Sequence, residues 1–291
     1  MFKSSIVAIV TPMTTSGDVD YDSLLHLIDW HIASGTDGIV LLGTTGESAT
    51  ILPSERAQLI ECAVAKVNGR VTLTVGTGTN ATASTIAHTM QAKELGADAA
   101  LIVTPYYNRP TQRGLYLHFK AVAEAVQLPQ ILYNVPSRTG CDLLPETVFQ
   151  LAKLPNIVAL KEATGDLSRV DTIRSTLTDF TLLSGDDKTA CQFIQRGGHG
   201  VVSVAANVVP ALFHKMCAAA IEGDIITANA VHQQLQPLFD ALACQSNPIP
   251  VKYALQLMHR IPEGLRLPLT TLSAEHHAAL AEALVAAGVS L

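Results

Sequence analysis

The chain has 291 residues, 48% of them apolar and 15% charged, enough to bury a large core. Its net charge of −6 comes from 19 basic and 25 acidic residues scattered without a basic block, which argues against nucleic acid or an anionic membrane surface as the main partner. No run approaches the roughly 20 unbroken apolar residues of a membrane span. The five cysteines, odd in number, widely spaced and without a C-x-x-C, read as buried thiols of a cytosolic protein.

In chain order, the first apolar run is SIVAIVTP, from Ser5. The residues before it lack a basic n-region and no small-residue cleavage site follows, so a strand is expected rather than a secretory signal. YDSLLHLIDWHIASG then places Leu24, Leu27, Ile28 and Ile32 on one helical face and stops at Gly35, a natural C′ residue. GIVLLGTTG, from Gly38, reads as the second strand. PSERAQLIECAVAKVNG reads as a helix with proline and an acidic residue in its first turn and Gly69 after its end. The alternation continues with VTLTVGTG from Val71, a helix whose N-cap is expected at Asn80, and AALIVTP from Ala99. It proceeds through TQRGLYLHFKAVAEAV, QILYNVP from Gln130, IVALKEATG from Ile157, LSRVDTIRSTL, TLLSGDD from Thr181, DKTACQFIQRGG, GVVSVAANV from Gly200 and PALFHKMCAAAIEGD. Asp186 and Asp187 are expected to cap the helix that follows them.

Continuous apolar, β-branched runs suit strands buried on both faces, hence a parallel sheet. Their eightfold alternation with helices predicts a closed (β/α)8 TIM barrel over 1–223. The stretch 224–291 holds only helix-period segments and is expected to form a C-terminal helical extension. An open doubly wound sheet is the alternative, disfavoured because no G-x-G-x-x-G follows the first strand.

In such a barrel, chemistry sits where strands end and βα loops begin. The polar residues at those ends are Thr44, Thr45 and Glu47 after strand two, Tyr106 and Tyr107 after strand four, and Tyr133 with Arg138 after strand five. Lys161 closes strand six, Gly185 ends strand seven, and Val202 and Ser203 lie in strand eight. If the fold is right, these converge on one bowl. Lys161 follows Val158, Ala159 and Leu160, and desolvation of an ammonium favours the neutral amine. A neutral primary amine can attack a ketone and form a Schiff base, which needs no metal or bound cofactor. The bland reading pairs Lys161 with Glu162 or lets it reach solvent. Tyr133 carries a phenol able to relay protons, or is a core tyrosine with a satisfied hydroxyl. Thr44 and Tyr107 extend that phenol into a hydroxyl chain. GTTGES offers hydroxyls and backbone N–H groups to a carboxylate, or is only a tight turn. Arg138 offers a bidentate fork to a second carboxylate, or is a surface ion pair. The histidines form no H-E-x-x-H, so no metal site is expected.

GTTGES, VTPYYNRP, YNVPSRTG, LKEATG and LLSGDD together resemble the dihydrodipicolinate synthase family, over nearly the whole chain. The resemblance implies a lysine-biosynthesis enzyme that condenses pyruvate with aspartate semialdehyde. It implies that Lys161 forms the Schiff base, that Tyr133 moves protons, and that Thr44 links Tyr133 to a Tyr107 supplied to the neighbouring subunit. It further implies that Thr45 binds the pyruvate carboxylate, that Val202 contacts pyruvate through its backbone with Gly185 beside it, and that Arg138 engages the semialdehyde's carboxylate. A homotetramer built as a dimer of dimers is implied too. Ser48, Ala49, Asn80 and Tyr106 match the pocket where some members bind inhibitory lysine. Pro53 and Arg56 stand where those members usually have histidines, and Ser84 where they usually have a glutamate. Related aldolases such as N-acetylneuraminate lyase or a keto-deoxy sugar acid aldolase would not need the Arg138 fork. A catalytically dead sensor or scaffold is the reading from another class.

Overall fold

Eight parallel strands pair in chain order and close into a barrel. They are β1 (Ser4–Ala8), β2 (Gly38–Leu41), β3 (Thr72–Gly76), β4 (Ala99–Val103), β5 (Gln130–Asn134), β6 (Ile157–Glu162), β7 (Thr181–Ser184) and β8 (Gly200–Ser203). Each coincides with one of the eight apolar runs. The computed structural model describes residues 2–291.

The helices that wrap the strands are α1 (Tyr21–Ala33), α2 (Pro53–Val67), α3 (Thr82–Glu94), α4 (Gln112–Ala125), α5 (Pro136–Thr139), α6 (Pro145–Leu151), α7 (Ser168–Arg174), α8 (Ala190–Gln195) and α9 (Pro210–Glu222). Three more follow: α10 (Ile225–Leu242), α11 (Ile249–Leu257) and α12 (His277–Ala286). The expected stops hold, with Gly35 and Gly69 in the left-handed region at φ +86° and +70°. Helices α5 and α6 are short and have no counterpart among the elements expected from the sequence. Both begin on a proline at N1, a fixed φ where no N–H partner is needed.

Asn80 does not cap α3; Ala81 is the N-cap residue and makes no side-chain bond. The neighbouring Thr79 hydroxyl already closes the turn, accepting from Ala81 N at 3.1 Å, while Thr79 N donates to the Thr85 hydroxyl at 3.0 Å. Asp186 and Asp187 divide the capping expected of them. Asp186 accepts from Thr189 N at 3.0 Å at the start of α8. Asp187 turns instead to β8, accepting from Val204 N at 3.1 Å and Ala205 N at 2.8 Å.

Two αβ loops use aspartate as a tie. Asp37 accepts from Ser5 N at 3.0 Å and Asp98 from Leu73 N at 2.8 Å, each satisfying a donor at the entry to the preceding strand. The seam between β8 and β1 is close. A Cβ on Gly200 would lie 2.3 Å from Ser4 O, so only glycine lets these backbones meet. Asn207 spans the same seam, accepting from Val10 N at 3.1 Å and donating to Ala8 O at 2.8 Å.

Ile6, Ala8, Val40, Leu101, Ile131, Tyr133, Ala159, Leu183 and Val202 form one buried cluster within the barrel. A second cluster joins strands and early helices to α9, α10, α11 and α12, so the C-terminal helices share the barrel's apolar core. The five cysteines are all free. Cys141, Cys191 and Cys217 are buried, Cys62 is half-buried and Cys244 exposed, so the burial expected of all five holds for three. Among the described residues no helix is long and apolar enough to cross a membrane. Nor do three His, Cys, Asp or Glu side chains gather as a metal ion would require.

Candidate active site

The C-terminal ends of the strands surround a cavity of about 210 Å³. Its lining includes Thr44, Thr45, Tyr133, Arg138, Lys161 and Gly185, six of the residues expected there. Asn247, from the segment before α11, lines it as well and was not anticipated.

Parallel pairing sets Tyr133 directly beside Lys161. Side chains alternate along a strand, so Lys161 and Glu162 must part to opposite faces. Lys161 points into the cavity at 6% exposure, with its Nζ 4.2 Å from the centre of the Tyr133 ring. Among the described residues it has no acidic partner and no side-chain hydrogen bond, which removes the bland reading of a paired lysine. Glu162 faces the helices, where Asn134 Nδ2 donates to it at 3.2 Å and Arg169 Nη1 lies 3.5 Å away. Burial raises the Glu162 carboxyl above its ordinary value, with those partners opposing the shift. The Tyr133 phenol likewise has no hydrogen-bond partner among the described residues, unlike a satisfied core tyrosine.

Gly185 makes room for the lysine. A Cβ there would stand 2.8 Å from Lys161 Cε and 2.6 Å from Ala163 Cβ. The next residues anchor the rim. Burial pushes the Asp187 carboxyl up to about 6, and its bonds to Val204 and Ala205 N–H pull the other way.

Across the cavity, the turn after β2 presents Thr44 and Thr45. Asn247 Nδ2 donates to the Thr45 hydroxyl oxygen at 2.9 Å. That occupies an acceptor site and leaves the hydroxyl proton free to donate. Asn247 Oδ1 is buried without a partner. Arg138, in α5, reaches the same segment through Nη2 and Asn247 O at 3.4 Å and makes no ion pair among the described residues, so its charge is not already neutralised. The cavity thus offers an unpaired amine, a phenol without a hydrogen-bond partner, hydroxyl donors on Thr44 and Thr45, and a guanidinium without an ion-pair partner among the described residues. That inventory suits an amine nucleophile and two carboxylates.

Other expected members stand elsewhere. Tyr107 is 89% exposed at φ +75° and Tyr106 is 40% exposed, both outside the cavity lining. The hydroxyl chain from Tyr133 through Thr44 to Tyr107 is therefore not closed within one chain. Val202 is buried in the apolar cluster within the barrel, and Val204 is the β8-end residue that lines the opening. Ser203 accepts from Ala206 N at 2.9 Å. Glu47 turns away from the bowl and is buried against Lys252. Ser48 and Ala49 are exposed and Asn80 half-buried, its carbonyl accepting from Asn108 Nδ2 at 2.8 Å.

Residues 1–287 match the model of the dihydrodipicolinate synthetase family. The chain is 56% identical over 289 residues to a 4-hydroxy-tetrahydrodipicolinate synthase of Coxiella burnetii, covering 99% of each. Its structure matches the chloride-inhibited dihydrodipicolinate synthase of Acinetobacter baumannii complexed with pyruvate, at TM-score 0.98 and 48% identity over 100% of both chains. It also matches the enzyme of Cyanidioschyzon merolae with lysine bound, at TM-score 0.96 and 40% identity over 99% of this chain and 98% of that one.

The crowding at Gly185 yields one prediction. Gly185→Ala should displace the Lys161 side chain and lower kcat/KM by about 100-fold, the usual scale for misplacing a reacting group by about 1 Å. Steady-state kinetics on protein with an unchanged far-UV spectrum would check this; near-normal activity would show that the lysine does not need that space.

Proposed function

The chain belongs to the dihydrodipicolinate synthetase family, and we propose from that premise how its cavity works. The reaction is the condensation of pyruvate with aspartate semialdehyde in lysine biosynthesis, that of a 4-hydroxy-tetrahydrodipicolinate synthase, a lyase. The single observation that carries the assignment of roles is Lys161, buried at the cavity floor without a counter-charge and in contact with a free phenol.

Lys161 Nζ, as the neutral amine, attacks the ketone carbon of pyruvate, and the ketone oxygen takes up a proton relayed by Tyr133 to give a carbinolamine. Loss of water, with a second proton delivered to the leaving oxygen, leaves a protonated imine. That imine draws electrons from the adjacent methyl group, which gives up a proton and becomes an enamine carbon. The enamine attacks the aldehyde carbon of the second substrate, and the aldehyde oxygen is protonated. The substrate's own amine then displaces Lys161 from the imine carbon, closing the ring and returning the free lysine. The Thr45 hydroxyl donates a hydrogen bond to the pyruvate carboxylate. Arg138 holds the carboxylate of the semialdehyde. The Val202 backbone contacts the bound pyruvate, with Gly185 beside it.

The proton relay is completed by Thr44 and by Tyr107 from a second copy of the chain, in a homotetramer built as a dimer of dimers and located in the cytoplasm. An aromatic side chain left 89% exposed on a left-handed backbone supports the reading that Tyr107 is meant for a neighbour. Ser48, Ala49, Asn80 and Tyr106 correspond to an effector pocket that in this chain is poorly suited to lysine. Arg56 is 6% exposed and donates to Gly76 O at 2.7 Å, with no ion-pair partner among the described residues. Burial holds its guanidinium down to about 10. A buried cation at that place repels an ammonium, and Ser84 supplies no carboxylate to offset it.

Assayed with pyruvate and a panel of aldehydes, the protein should turn over only with aspartate semialdehyde. Cleavage of sialic acid would favour the related lyase, and silence with every aldehyde a sensor or scaffold. Mixing Tyr107→Phe and Lys161→Ala proteins, each nearly inactive alone, should restore activity by pairing an intact lysine with an intact tyrosine. No recovery after verified subunit exchange would place Tyr107 outside its neighbour's site. Free lysine should leave the rate nearly unchanged up to millimolar concentration, and an ordinary micromolar-to-low-millimolar inhibition curve would contradict the reading of Arg56 and Ser84.

A further inference from the structure

Glu47 and Lys252 form an ion pair at 2.5 Å, with 4% and 3% exposure, between the turn after β2 and helix α11. Two buried charges are costly to desolvate, and a pair of this kind adds little to stability over an apolar pair of the same size. Its position suggests a different use. Glu47 lies two residues from Thr45, at most about 7 Å along the chain, in a turn whose task is to bind an anion. A free carboxylate there would oppose the substrate carboxylate.

The surrounding contacts all turn that charge away from the cavity. Lys252 Nζ also donates to Thr11 O at 3.0 Å, and the Thr11 hydroxyl donates to Gly46 O at 2.7 Å. Arg266 N donates to the other Glu47 oxygen at 3.4 Å, and Arg266 Nη1 to Thr50 O at 2.8 Å. Glu47 itself sits at φ +54°, a left-handed conformation that a side chain with a Cβ keeps only where its surroundings enforce it. Burial lowers the Lys252 ammonium below its ordinary value, and Glu47 counters the shift, so the two charges depend on each other.

We propose that Lys252 and Glu47 are positioning residues for substrate carboxylate binding. Lys252 neutralises the one acidic side chain in the anion-binding turn and fixes the turn so that the Thr45 hydroxyl faces the cavity. Neither residue touches substrate. The inference rests on the assignment of Thr45 to the pyruvate carboxylate.

Three variants test it, each assayed for pyruvate KM and kcat at saturating aspartate semialdehyde. Lys252→Met leaves a bare carboxylate in the turn and should raise pyruvate KM about tenfold, with kcat within about threefold, the signature of lost binding rather than lost chemistry. Glu47→Ala removes the tether without leaving that charge and should raise KM less, about three- to fivefold. Glu47→Gln keeps an oxygen for Lys252 and should stay within about twofold of the wild type. A purely structural pair would lower the melting temperature of all three and leave KM unmoved. Unchanged KM in folded Lys252→Met and Glu47→Ala overturns the proposal; should Lys252→Met fail to fold, Glu47→Ala alone decides it. A wild-type protein whose rate does not saturate with pyruvate would instead overturn the assignment of the site on which the proposal stands.

Discussion

A lysine held at a barrel's floor with no anion beside it is the constraint on which this structure is built. Burying a lone cation is expensive, and most proteins avoid it by pairing or by letting the chain reach water. Here each neighbouring feature preserves the isolation. Strand alternation sends Glu162 to the opposite face, where Asn134 and Arg169 occupy it. Gly185 clears the space beside the side chain, and the Tyr133 ring covers Nζ with a π face instead of a carboxylate. The register that sets Tyr133 beside Lys161 belongs to the parallel ladder itself, so the reacting pair is placed by backbone hydrogen bonds.

The second constraint is electrostatic. Two acids must enter one cavity, which therefore needs donors and cations on its walls and nearby carboxylates that are already engaged. Asp186, at the cavity's edge, has one oxygen engaged by Thr189, Asp187 has one engaged by the Val204 and Ala205 N–H groups, and Glu47 is turned into the core against Lys252. Much of this arrangement is supplied from beyond the eight strands. Asn247, Lys252 and Arg266 all reach back to the turn after β2, over some 200 residues of sequence separation, and make the C-terminal segment part of the site's architecture.

What could be read from the sequence follows from how local each signal is. The strands were legible because a parallel barrel buries both faces and so writes unbroken apolar runs rich in β-branched residues; Ile6 through Val10 and Ile157 through Leu160 stand out for that reason. Lys161, Tyr133 and Arg138 each have an ordinary reading alone, and were legible because a barrel brings the ends of two successive apolar runs, and the loop after the first, to one place. The Asn80 cap was misread because a preceding threonine performs the same local bonding. Helices α5 and α6 are too short to show a periodic face. Asn247 and Lys252 carried no local signal at all: an asparagine before a proline and a lysine within an amphipathic helix gain meaning only when the chain folds back on the GTTGE turn. The role given to Tyr107 came from family resemblance, since a single copy of the chain leaves that side chain in solvent.

The covalent link between Lys161 and a 2-oxo acid is the step on which every other role in the cavity depends. Protein incubated with pyruvate and then reduced with borohydride should carry, on intact-mass and peptide analysis, one reduced pyruvate adduct per chain, confined to Lys161. Absence of the adduct, or its location on any other side chain, would contradict the account.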